Sequence, residues 1–70
     1  MRPGDREHIA TRLQLATREV AALPVCIADA AQAVAEGDLV RAAASAQLAA
    51  VKALHIQRMM TDVDLLIGRN

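Results

Sequence analysis

Ala33-Val34-Ala35-Glu36-Gly37-Asp38-Leu39-Val40-Arg41-Ala42 is the stretch where one helix must stop and another can start. Glycine takes the left-handed conformation that ends a helix at little steric cost, and aspartate at the next position is a favoured N-cap. Strong helix formers run away from this point in both directions, sixteen alanines among them. A turn centred on Gly37 therefore folds the chain back on itself. The expected fold is all-α, an antiparallel two-helix hairpin with a helix over 5–36, a turn at 36–38 and a helix over 38–67, in a single domain spanning 1–70.

Working outward on the N-terminal side, apolar residues recur at alternating steps of four and three: Ile9, Leu13, Ala16, Val20, Leu23, Ile27, Ala30 and Val34. That is a helical stripe nearly four heptads long. Asp5 is positioned to cap its start. Pro24 interrupts the run, removing one backbone donor and crowding the preceding turn, so the first helix is expected to be kinked or broken there. No capping residue precedes the proline and the heptad phase continues through it, which favours a kinked single helix.

On the C-terminal side the stripe is Leu39, Ala42, Ala46, Ala49, Ala53, Ile56, Met60, Val63 and Ile67, with Gly68 closing the helix. Antiparallel packing about Gly37 brings Arg12 near Asp62 and Glu19 near His55. It also sets alanine against alanine beside the turn, allowing close backbone approach.

Composition limits the rest. Seventy residues bury a small core, and chains of this size are usually supplemented by disulfides, metal or a partner. One cysteine, Cys26, makes no internal disulfide. Phe, Tyr and Trp are absent while 54% of residues are apolar, so whatever is buried is aliphatic. Eight basic residues balance eight acidic ones without a block of either sign, which counts against a nucleic-acid binder. The most apolar run, Val20 to Ala28, falls far short of the roughly 20 residues that span a bilayer. The N-terminus lacks the apolar core of a signal peptide, so a cytoplasmic location is expected and no membrane partner. Seven arginines to one lysine, with the alanine excess, suggest a GC-rich bacterial genome.

Around Pro24 the first helix is apolar on every side, which is the pattern of a buried helix. A hairpin covers only one side. Val20, Leu23, Val25, Cys26 and Ile27 are therefore the expected dimer interface, through which two hairpins form a four-helix bundle. On the second helix the mixed face reads Arg41, Ser45, Leu48, Lys52, His55, Met59, Asp62, Leu66 and Arg69. Within it Leu48, Met59 and Leu66 form a row expected to dock a protein partner.

Reactive chemistry finds little to stand on. Cys26 has no basic neighbour to activate it. Asp5 and His8 share a face but are too few for a metal site, and no Glu-x-x-His pair occurs. Asp62 and Asp64 point in different directions on a helix. No catalytic residue, cofactor or metal is expected. The reading is a non-enzymatic interaction module, homodimeric and binding a protein partner as adaptor, regulator or assembly factor. In plan it is similar to the small RNA-binding hairpin dimers of plasmid copy control and to the hairpin chaperones of type III secretion. That likeness of architecture names two alternatives: a chaperone-like subunit for a secretion or motility component, and a dimeric hairpin meeting RNA or DNA through Arg41, Lys52, Arg58 and Arg69.

Overall fold

The structure is a computed structural model, and it describes residues 3–69. Two helices pack antiparallel: α1 over Asp5–Ala35 and α2 over Leu39–Gly68, with no strand among the described residues. The Cα trace is a rod of 53 × 14 × 11 Å. No helix among the described residues is long and apolar enough to cross a membrane.

The turn follows from backbone hydrogen bonding. Gly37 adopts φ +77°, its N–H donates to Val34 O at 3.0 Å and the Asp38 N–H donates to Ala33 O at 2.8 Å. These two bonds satisfy carbonyls that the end of α1 would otherwise leave open, the Schellman arrangement. Asp38 then caps α2, its Oδ1 accepting from the Arg41 N–H at 3.0 Å.

The outer ends differ from expectation. Asp5 is the first residue of α1 rather than its cap; Gly4, at φ 90°, holds that position with no side-chain bond. Its carboxylate instead lies in the first turn, where the helix dipole favours negative charge. Gly68 is the last helical residue of α2, and Arg69 is the C-cap.

α1 runs through Pro24 as one helix and is not broken there. The ring is exposed. The carbonyl that loses its bond four residues earlier belongs to Val20, also an exposed residue, where water can replace the missing donor.

The seam is rotated from the expected stripe. With heptad letters set by Ile9 at a, the inward rows of α1 are a (Ile9, Ala16, Leu23, Ala30) and d (Arg12, Glu19, Cys26, Ala33), every one buried or half-buried. The inward rows of α2 are likewise a (Ala42, Ala49, Ile56, Val63) and d (Ser45, Lys52, Met59, Leu66). The a rows were in the expected stripes; the companion e rows were not correctly placed. Leu13, Val20, Ile27 and Val34 are 45%, 50%, 60% and 59% exposed, and Leu39 and Ile67 are 69% and 53% exposed.

Side-chain size grades along the seam. Ala33, at 0% exposure, fills the tight end next to the turn. At the open end Ile9, Val63 and Leu66 form the cluster of buried large side chains, with Met60 packed against it. Small residues permit close helix approach where the chain reverses, and larger ones fill the space beyond.

Candidate interaction surface

Ion pairs define the two flanks of the hairpin. On one flank His8 Nε2 and Arg12 Nε stand 3.2 and 3.1 Å from Asp62 Oδ2. Nearer the turn, Arg41 Nε lies 3.6 Å from Asp29 Oδ1, and the Ser45 hydroxyl donates to Asp29. His8 and Asp29 belong to the g row of α1; Asp62 and Arg41 belong to the g row of α2. Since the g rows face each other, this flank also carries the adjoining c rows, with Arg18 and Arg58. Its exposed apolar residues Leu15, Val25, Leu48, Val51 and Leu65 are interleaved with those charges.

The opposite flank must then carry the e and b rows of both helices. From α1 these are Ala10, Leu13, Thr17, Val20, Pro24, Ile27, Ala31 and Val34, all exposed. From α2 they are Leu39, Ala43, Ala46, Ala50, Ala53 and Gln57, all exposed, then Met60, half-buried. None is charged. Even Thr17 hides its polar atom, its hydroxyl donating to Leu13 O at 2.8 Å. Charge appears on this flank only at the open end, at Arg6 and Asp64. Single exposed apolar residues are ordinary, whereas a continuous uncharged apolar face is the mark of a contact surface.

Between the flanks the seam contains a charged pair. Lys52 Nζ lies 3.4 Å from Glu19 Oε2, with side chains 24% and 27% exposed. Glu19, expected near His55, makes its ion pair with Lys52 on the facing d row. His55 lies beside Glu19, the two lining a groove of about 380 Å³ together with Arg12, Leu15, Arg58 and Met59.

The turn carries its own ionic lock. Glu36 accepts from the Gln32 amide at 3.0 Å and from Arg41 Nη1 at 2.6 Å. These two hydrogen bonds and the arginine's charge hold the Glu36 carboxyl below its ordinary range, and the same pairing raises the Arg41 guanidinium.

The residues expected as one dimer interface are divided by the fold. Leu23 is half-buried and Cys26 is buried, both turned into the hairpin's own seam, so neither is available to a second chain. Val20 and Ile27 lie on the uncharged flank; Val25, 69% exposed, lies on the charged one. The expected partner row is divided too. Leu66 is buried against Ile9 and Val63, Met59 is half-buried at d, and Leu48 remains exposed. The reason is the same rotation of the seam: the mixed face of α2 is the one that meets α1. Of the four basic residues considered for phosphate contact, Arg41 and Lys52 are engaged with carboxylates. Among the described residues no group of three or more His, Cys, Asp or Glu could hold a metal ion.

The pairing of Arg12 with Asp62 is as the sequence led us to expect, and the same matching of opposite charges between helices could have revealed Glu19 with Lys52 and Asp29 with Arg41. Compared with known proteins, the chain matches no family model, no curated protein and no solved structure.

Proposed function

We propose that this chain is a small non-enzymatic helical interaction module, homodimeric and serving a protein partner as an adaptor, regulator or assembly factor. The observation that carries the reading is the uncharged flank, where Leu13, Val20, Ile27, Val34 and Leu39 lie exposed beside exposed alanines. Apolar surface of this extent favours association by removing it from water, at roughly 25 cal/mol per Å² before the entropy of association is deducted.

The hairpin's own core supports the same reading from the other side. Its buried residues are Ile9, Ala16, Cys26, Ala33, Val63 and Leu66, two of them alanines. A core this small is marginal alone, and covering a further face is the usual remedy in chains of this length. A dimer that covers the uncharged flank leaves the charged one, with Leu48, His55 and Arg58, outermost for a second protein.

Size-exclusion chromatography with light scattering tests the proposal. A mass twice 7.4 kDa supports it, and a 7.4 kDa monomer that melts cooperatively overturns it.

A further inference from the structure

Resting on the dimer reading above, we infer that a second copy of this chain covers the uncharged flank, with α1 of each copy lying along α2 of the other and both turns at the same end. The occupant is argued first from charge. A surface bearing net charge repels its own image in a two-fold dimer, whereas this flank is free of charge from Ala10 to Met60 outside the turn. The charged flank, by contrast, would have to take charged side chains out of water, Arg18, Asp29, Arg41, Arg58 and Asp62 among them, at a cost in desolvation.

Area agrees. A rod 53 Å long presenting two helices about 10 Å apart offers a face on the order of 1,000 Å² per copy. Stable interfaces need about 800 Å² per partner.

The orientation follows from size. Two hairpins stacked on this flank have two symmetric choices. If the two-fold axis crosses the helices, α1 lies on α1 and α2 on α2. Val20 and Ile27 then meet their own kind along one side while Ala46 and Ala53 meet alanines along the other. The first contact demands a wide helix separation and the second a narrow one, which one rigid hairpin cannot satisfy together.

If the axis runs parallel to the helices, α1 lies on α2 of the second copy, and large residues meet small ones along both sides. Symmetry also fixes the level. Such an axis leaves heights unchanged, so each residue of α1 faces the α2 residue that stands level with it in its own hairpin. The helices run antiparallel from a turn centred on Gly37, so residues equally far from Gly37 along the chain stand level, and Val20 and Ala53, 17 and 16 residues from it, match to within one residue. Val20 therefore seats on Ala53 of the second copy, and Ile27, one heptad on, seats on Ala46. At the open end Arg6 comes within a turn of Asp64 of the second copy, setting the two charges of this flank against each other. Every helix in the resulting bundle is antiparallel to both neighbours, an up-down-up-down arrangement.

Disulfide trapping tests the arrangement. In a Cys26→Ser background, chains carrying Val20→Cys are mixed with chains carrying Ala53→Cys, and separately with chains carrying Ile27→Cys, under a glutathione redox buffer. Facing positions in packed helices bring Cβ atoms into the roughly 3.5 to 4.5 Å range a disulfide needs. The packing inferred here shifts the first mixture to covalent dimer and leaves the second unlinked. Linking of the second mixture alone, or of neither while light scattering still reports a dimer, overturns this packing and leaves the functional proposal standing. A wild-type chain that is monomeric overturns both.

Discussion

Glu19 and Lys52 face each other inside the hairpin seam, 3.4 Å apart and about three-quarters shielded from water, at positions that apolar residues occupy in the layers around them. A charged pair so placed costs desolvation that its attraction only partly returns. It ties the two helices to each other midway along the seam.

Removing one partner strands the other. Lys52→Ala is expected to destabilise the fold by about 1 to 2 kcal/mol, between the values for exposed and fully buried pairs. The double variant Glu19→Leu, Lys52→Met is expected to equal or exceed wild-type stability. Urea unfolding of the three proteins checks this, and a double variant weaker than Lys52→Ala would sink the seam assignment.

Adjacent leucines separate the two possible faces of α2. Leu66 is 9% exposed and packs on Ile9 and Val63, whereas Leu65 is 62% exposed. Leu66→Ala should cost about 2 to 3 kcal/mol, the low end for a core leucine in so small a core, while Leu65→Ala should stay within about 0.5 kcal/mol of wild type. Thermal unfolding of both variants reads the difference.

Backbone conformation makes the turn similarly testable. A Cβ at Gly37 meets nothing within 4 Å, so Gly37→Ala reports the cost of φ +77° alone, about 1 kcal/mol. At Gly68, which has no positive φ and equally open surroundings, the same change should be neutral or slightly stabilising. Asp38→Ala should cost about 1 kcal/mol through loss of the cap, and Asp38→Asn much less. Circular dichroism melts of the four variants give the order.

Acid should loosen the turn. The folded pKa of Glu36 is depressed by Gln32 and Arg41, so its contribution is complete above its unfolded pKa and disappears as pH falls through the folded one. Glu36→Gln removes that component. Between about pH 6 and pH 3 the variant should therefore lose less stability than wild type in urea titrations. An NMR titration should place the Glu36 midpoint below that of glutamate in an unfolded peptide.

The hairpin was legible because its signals are local. Gly37, Asp38 and the alanine-rich flanks act within a few residues of themselves, and no alternative pairing competes with them. Which face closes the hairpin was not legible from one helix at a time. The a row pairs equally well with the row three residues on or the row four residues on, both being heptad patterns. Counting apolar residues selects Leu13, Val20, Ile27 and Val34 over Arg12, Glu19, Cys26 and Ala33. The fold selects the second set, because Glu19 finds Lys52, Arg12 finds Asp62 and Ala33 lets the helices close at the turn. These are relations between helices, invisible to a periodicity taken along one of them. The more apolar row was left outside, and that displacement creates the uncharged flank.

The claim that this hairpin is half of a larger bundle is tested most directly by its melting temperature as a function of concentration. Association stabilises the folded state by mass action, so a chain whose fold is completed by a second copy must melt at higher temperature when concentrated. Followed by circular dichroism across a hundredfold range of concentration, the melting temperature should rise steadily. A cooperative melt at one temperature throughout, at a solution mass of 7.4 kDa, would contradict the account.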